Sequence, residues 1–271
     1  MPSADDGRAV LALVRWPNAV IAAGGVVAGA LWAAGREAPV RPVALAAGAA
    51  AALTALANAF NDYTDRDIDR VAHPDRPLPR GLLHPSTALV VAATAAVAGV
   101  TLSALARPAL GALSVVVVVL MLAYSTSIKR HGLPGNVLVA VLASLPFLYG
   151  AWAVGRPRAA LALLGLAIPL HLAREIAKDL EDAAGDAATR RTLPVARGTG
   201  AARAALLAAL AIFLAALAAM AWRRPRFAAA AVPVVVLSCL AAWRAAHGQH
   251  GGPLLFKSAM VCALFSLAVA H

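Results

Sequence analysis

Nine stretches of this chain contain no Asp, Glu, Lys or Arg: residues 16–35, 42–61, 81–106, 108–128, 131–155, 159–173, 204–222, 227–243 and 258–271. A helix needs roughly 20 apolar residues to cross the hydrocarbon of a bilayer. The runs therefore predict about nine transmembrane helices, the sixth, eighth and ninth borrowing a few neighbouring residues. Backbone polar groups in lipid must be satisfied internally, which leaves helices or closed barrels. Barrel strands alternate in polarity, and these runs do not. The expected fold is all-α and polytopic, a single intramembrane domain over residues 1–271, because no soluble domain is visible between the runs. The first run follows Arg8 and Arg15 as a signal peptide would. It is longer than a usual signal-peptide apolar region, so it is read as a retained span.

The formal net charge is +11. In a soluble chain that balance would suggest nucleic acid; between transmembrane runs it reports topology instead, and no nucleic-acid partner is expected. The N-terminus and the loops after the second, fourth, sixth and eighth runs carry 16 of the 24 Lys and Arg residues. The other side receives Arg36, Arg41, Arg107, Arg156, Arg158, Arg223, Arg224 and Arg226. The positive-inside rule places the richer side in the cytoplasm. The acids are more lopsided: 12 of 13 lie on that same side, and only Glu37 lies opposite. Acids contribute little to orientation, so their gathering on one face points to a site. The outer loops, rich in Arg, Pro and Gly, read as connectors.

Two acidic segments share one spacing. Asp62, Asp65 and Asp69 follow the second run as DxxDxxxD, and Asp179, Asp182 and Asp186 follow the sixth in the same pattern. Offsets of three and seven place side chains on one helix face. Three carboxylates on one face repel each other unless a cation lies between them. Mg²⁺ takes oxygen ligands, commonly one or two carboxylates together with substrate phosphates. The matched clusters are therefore read as two half-sites for Mg²⁺ around a diphosphate, and the repeat suggests duplicated helical hairpins. Asp67 and Glu181 fall off these faces and are left to solvent or to a supporting contact. Asn58 and Asn61 extend the first face into the apolar run. Asn18 lies one turn into the first run, where an amide needs a partner; all three are candidate pocket residues.

Cations accompany the acids. Arg76 and Arg80 lie in Arg76-Pro77-Leu78-Pro79-Arg80-Gly81, and Lys129 closes the segment that begins at Tyr124-Ser125. Arg174 and Lys178 lie four apart before the second acidic face, and Arg190 and Arg191 follow it. Arg forks match phosphate oxygens and Lys supplies a point charge. Arg76, Lys129, Arg174 and Lys178 are read as functional. Arg70, Arg130 and Arg203 are left to the positive-inside bias. No histidine pair has ligand spacing; His171 could line the site, and His73, His84, His131, His247, His250 and His271 read as loop or terminal residues. Cys239 and Cys262 stand alone in apolar runs and form no metal or disulfide pattern.

Asn61-Asp62-x-x-Asp65-x-x-x-Asp69 resembles the first aspartate motif of the UbiA superfamily of intramembrane prenyltransferases, and Asp182-x-x-x-Asp186 its second. The Arg76–Gly81 segment, Tyr124-Ser125 with Lys129, and Gly135-Asn136 match further stretches of that family in the same order, across roughly 15–200. The resemblance implies nine helices around a central cavity, with Mg²⁺ bridging the aspartates to the diphosphate of an isoprenyl donor. It implies that Asp62, Asp65, Asp69, Asp179, Asp182 and Asp186 hold metal, and that Lys129 acts beside them. Asn18, Asn58, Asn61, Arg76, Arg80, Tyr124, Ser125, Arg174, Lys178 and Arg191 are then substrate-binding candidates. The prenyl tail runs between helices towards lipid. The C–O bond ionises to an allylic cation, and an acceptor attacks it. Metal and cations stabilise the leaving diphosphate, and an apolar chamber keeps water from the cation.

The run from Arg174 to Asp186, followed by Arg191-Thr192-Leu193-Pro194, is most similar to the branch making digeranylgeranylglyceryl phosphate. Its acceptor is a phosphorylated glycerol lipid, and quinone-type members carry tyrosines where Arg174 and Lys178 stand. Two cations suit an acceptor that brings its own phosphate, so Arg174 and Lys178 are expected to bind that phosphate or to help hold the donor. An aromatic acceptor such as 4-hydroxybenzoate is the alternative. An ion-coupled transporter is a remote one, since an ion path needs charged stations at mid-membrane and the runs hold none. No general base stands out; the leaving diphosphate or a nearby Asp can take the proton. A plasma membrane is the expected location.

Overall fold

A computed structural model describes residues 4–186 and 191–269. Arg190 and His271 lie outside the described residues, as do the side chains of Asp186, Arg223 and Arg226. Among the described residues every regular element is helical. The order is α1 (Ala4–Val14), α2 (Trp16–Ala34), α3 (Val40–Ala72), α4 (Pro85–Ala106), α5 (Pro108–Thr126) and α6 (Leu133–Ala153). Then follow α7 (Ala160–Asp186), α8 (Leu193–Arg223), α9 (Pro225–Ala230), α10 (Val232–Ala246) and α11 (Gly252–Val269). Among the described residues eight spans are long and apolar enough to cross a membrane, α9 and α10 together making one of them, and Gly252–Leu267 is a shorter apolar helix. Large apolar side chains such as Val90, Val97, Val119, Ile212 and Phe265 are exposed. An apolar exterior of this kind is expected where lipid is the solvent.

Three elements differ from the apolar runs. The helix α1 precedes the first run; it buries Ala9 and Leu13 and exposes Leu11, the pattern of a helix lying at an interface. Arg15 joins it to α2 with φ 50°, the one positive φ at a non-glycine residue among the described residues. That conformation costs roughly 1–2 kcal/mol in an L-residue, so other contacts must hold it. The eighth run is two helices, because Pro233 lacks the N–H that would continue α9. The helix α3 does not stop where its apolar run stops. Its 33 residues span about 50 Å, against about 30 Å of hydrocarbon, and the surplus turns carry the first acidic motif.

Each helix packs on its neighbours in chain order, and α11 closes against α2 and α7. The main core clusters divide likewise, one built from α1 to α6 and the other mostly from α7 to α11. Helices α2 and α6 approach so closely that glycine is required at the contact. A Cβ on Gly150 would lie 1.9 Å from the Val26 carbonyl oxygen, and one on Gly29 would lie 2.2 Å from that of Phe147. Small residues permit such contact in lipid, where apolar transfer gives helices no reason to associate. At the opposite end from the acids, Arg107 Nε donates to the Ala153 carbonyl (2.9 Å) and an Arg156 nitrogen to that of Ala33 (2.8 Å). Both satisfy carbonyls at a helix C-terminus, which bears out these loops as connectors.

Candidate active site

Asp62, Asp65 and Asp69 share one face of α3, as their spacing predicts, and each is at most 2% exposed. Three buried like charges need three sources of compensation, and the chain supplies them. An Arg15 guanidinium nitrogen lies 2.5 Å from Asp62, which accounts for the strained backbone at Arg15. Arg76 bridges Asp69 (2.5 Å) and Asp62 (3.4 Å). Lys129 Nζ lies 2.6 Å from Asp65 and also donates to Asn61 Oδ1 (3.2 Å) and Thr64 Oγ1 (3.0 Å). The reach of Lys129 depends on Gly135. A Cβ there would lie 2.9 Å from the Ile128 carbonyl oxygen, so only glycine lets α6 start against the short turn Ile128–Arg130.

The second motif is less enclosed. Asn136 Nδ2 donates to Asp179 at 2.8 Å, while Asp182 is half-buried. His73, at the C-terminal end of α3, lies within electrostatic reach of Asp69 and Arg76 and also of Lys178 and Asp182 on α7, so the two acidic helix ends lie near each other. Burial, followed by Arg76 beside it, pushes this imidazole below its ordinary value. Among the described residues no three His, Cys, Asp or Glu side chains converge on one point, since Arg and Lys nitrogens lie among the α3 carboxylates.

A cavity of about 360 Å³ opens beside these groups. Its wall runs along α7 from Leu163 to Lys178, a length of roughly 22 Å at helical rise. One end is polar, with Arg15, Asn18, Asn58, Asn61, Asp65, Tyr124, Ser125, Lys129, Arg174, Glu175 and Lys178. The other end is apolar, with Phe147, Phe213, Leu217, Phe227, Leu264 and Leu267. Among the described residues no charged side chain lines that deep half, whereas an ion path needs charged stations along its length.

The expected residues thus fall into three groups, apart from Asp179 and Asp182, which line no part of the cavity. Asn18, Asn58, Asn61, Asp65, Tyr124, Ser125, Lys129, Arg174 and Lys178 line the cavity. Asp62, Asp69 and Arg76 form the buried layer behind its polar end. Arg80 and Arg191 are exposed and line no part of it. Asn58 also has a structural bond, from its Nδ2 to the Val14 carbonyl (2.9 Å), which pins the α1–α2 junction to α3. Glu181 accepts from the Gly251 N–H (3.2 Å) and ties α7 to the start of α11, a supporting contact as read from its off-face position. Asp67 is exposed beside Arg66 and Arg70.

Three site residues escaped the sequence, the first being Arg15, read there only as a cation flanking the first run but lining the cavity and pairing with Asp62. Glu175 pairs with Arg174 inside the cavity, although adjacent residues on a helix ordinarily diverge. Lys257 of α11 also lines it, donating from Nζ to Asn18 Oδ1 at 2.7 Å. The available signal was a lone ammonium within a short apolar helix.

The donor set fits a hard divalent cation. All candidate ligands are carboxylate oxygens, and the neighbouring Arg and Lys nitrogens can move to phosphate oxygens when a metal takes the carboxylates.

Comparison with known proteins agrees with this geometry. The sequence model of the UbiA prenyltransferase family matches residues 22–265. The digeranylgeranylglyceryl phosphate synthase of Natronomonas pharaonis is 43% identical over 195 residues, covering 70% of this chain and 69% of the relative. Among solved structures, a UbiA homolog from Aeropyrum pernix K1 superposes with a TM-score of 0.78 at 19% identity, covering 94% of this chain and 96% of that one. A UbiA homolog from Archaeoglobus fulgidus bound to DMAPP and Mg²⁺ gives 0.72 at 17% identity, covering 96% and 97%. At these identities the two structures establish a shared fold.

Proposed function

This chain belongs to the UbiA prenyltransferase family, and from that premise we propose that it transfers a geranylgeranyl group to the glycerol hydroxyl of geranylgeranylglyceryl phosphate, in ether-lipid synthesis. It is a multi-pass membrane protein and a prenyltransferase. The observation that carries the choice of acceptor is the charge on the cavity wall. Arg15, Lys129, Arg174, Lys178 and Lys257 line it against the carboxylates Asp65 and Glu175 alone. A wall this cationic suits two phosphorylated substrates, one a donor diphosphate and the other an acceptor with its own phosphate. The relative from Natronomonas pharaonis, named for synthesis of this product, supports the same reading.

The proposed metal is Mg²⁺, held by Asp62, Asp65 and Asp69 from α3 and by Asp179, Asp182 and Asp186 from α7. When bound, it supplies positive charge to the diphosphate oxygens as the leaving group departs. The residues of the chain do the rest. Arg76 and Lys129, now on the α3 carboxylates, turn to the diphosphate and orient it. The apolar walls around Phe213 and Leu264 take the prenyl tail and keep water away. The allylic C1–O bond breaks with its electron pair on the diphosphate. The acceptor hydroxyl oxygen bonds to C1, and its proton passes to a diphosphate oxygen or a nearby carboxylate. Charge develops at the acid-rich end, where fixed cations already stand, so little reorganisation is needed. The positive-inside count supports a cytoplasmic orientation for that end, and the membrane is proposed to be the plasma membrane.

The test is a radiolabelled transfer assay on purified protein with geranylgeranyl diphosphate and Mg²⁺. It offers either geranylgeranylglyceryl phosphate or 4-hydroxybenzoate. Labelled ether lipid is expected from the first acceptor. Product from the aromatic acid alone would keep the family assignment and discard the acceptor.

A further inference from the structure

The cations of the cavity wall are not spread evenly. Lys129 sits on Asp65, and Lys178, one turn before Asp182 on α7, lies within electrostatic reach of His73 at the end of α3, so both belong to the acidic helix ends. Lys257 belongs elsewhere. It comes from α11, bonds Asn18 of α2 at 2.7 Å, and lies within electrostatic reach of Arg174 on α7 and Arg15 at the head of α2. Three cations from three parts of the chain thus share one stretch of wall. Arg15 is committed to Asp62 on α3. Glu175 is the carboxylate that lines the cavity there. Like charges so placed repel each other through a partly dehydrated medium, and an anion between them would relieve that repulsion.

The acids proposed to hold metal lie on α3 and at the end of α7, and none of them is on α11. An anion at Lys257 would therefore be bound by protein cations directly. A prenyl diphosphate, which needs a divalent ion to neutralise it, suits the acidic ends. A phosphate monoester, with less charge, suits an ammonium, a guanidinium fork and an amide. On the acceptor reading given above, we propose that Lys257, with Arg174 and Asn18, forms the subsite for the phosphate monoester of the acceptor lipid. Arg174 and Lys178, paired by sequence spacing, then serve different substrates. Arg174 holds the acceptor and Lys178 stands on the donor side. Asn18 keeps the Lys257 ammonium turned into the cavity before the acceptor arrives.

The experiment compares wild type with Lys257→Met and Lys257→Arg in the transfer assay. Lys257→Met should raise KM for geranylgeranylglyceryl phosphate at least tenfold and leave KM for geranylgeranyl diphosphate within twofold. Lys257→Arg should keep the acceptor KM within about threefold of wild type. A rise in the donor KM instead would assign the cluster to the diphosphate and overturn the proposal. So would a fall in kcat with both KM values unchanged, which marks a structural role. A wild-type protein that makes no ether lipid would refute the acceptor reading but leave this subsite open to measurement. Binding of dodecyl phosphate and of dodecanol, without divalent metal, would then decide. Wild type should favour the phosphate at least tenfold and Lys257→Met should lose that preference. Equal preference in both proteins would overturn the subsite.

Discussion

Asp65 and Lys129 meet at 2.6 Å with side chains only 3% and 5% exposed, a depth at which neither charge is well hydrated. Removing one partner of a buried pair leaves the other uncompensated, a loss of about 3 kcal/mol or more. Lys129→Met should therefore lower the unfolding temperature in detergent as well as turnover; an unchanged melting curve would show that the pair is hydrated. Asp62→Asn is a different case. The amide oxygen can still accept from Arg15 and Arg76, so the fold should survive while prenyl transfer falls at least a thousandfold. Near-normal turnover in that variant, or in Asp182→Ala, would rule out the metal site. The sequence displayed these acids because spacing and one-sidedness are one-dimensional patterns. It marked Arg76 and Lys129 as accompanying cations, but not which carboxylate each meets, and it did not mark Arg15. The chain is 47 residues long between Arg15 and Asp62 and 64 between Lys129 and Asp65, and no periodicity spans such distances. Arg80 shows the converse. Its segment matches a family pattern, yet it is exposed and away from the cavity.

At the scale of elements, the packing of α2 on α6 rests on absent side chains. Gly150→Val would set a Cβ 1.9 Å from a backbone oxygen, and backbone cannot swing aside as a side chain can. Overpacking of this kind costs about 1–3 kcal/mol and sometimes more, so the variant should melt lower and lose activity as the cavity wall at Gly25 and Pro146 shifts. Gly165→Ala on α7 is the control, because nothing lies within 4 Å of its new methyl group. It should be at least as stable as wild type, since Ala is the better helix former. If both glycines behave alike, close approach is not what holds this pair. Charge-free runs located the spans well but not their ends. Apolar content marks where lipid begins; it does not mark where a helix stops, so the extra turns of α3 showed only in the spacing of its acids. The helix α1 was missed because it lies beside the membrane core and its apolar face is short.

For the whole molecule, the described helices place the acid-rich helix ends, the cationic wall and α1 together at one end, with arginine-capped connectors at the other. The positive-inside count predicts which end is cytoplasmic. With Cys239 and Cys262 replaced, a cysteine at exposed Asp75 should react with an impermeant maleimide only from the cytoplasmic side, and one at exposed Arg36 only from the outside. The reverse pattern would invert the topology. The general architecture was legible because a bilayer restricts the solutions to helices of one length. The cavity was not, since its lining comes from helices far apart in the chain, and Lys257 became a site residue only when α11 closed on α2. The buried carboxylates of α3, with the half-buried Asp179 and Asp182 of α7, are proposed to bring a prenyl diphosphate into this cavity through Mg²⁺. The most direct measurement is equilibrium binding of labelled geranylgeranyl diphosphate to purified protein, with Mg²⁺ and with EDTA. The account predicts binding that needs Mg²⁺, vanishes in EDTA, and is lost in Asp62→Asn. Equal binding in EDTA would contradict it.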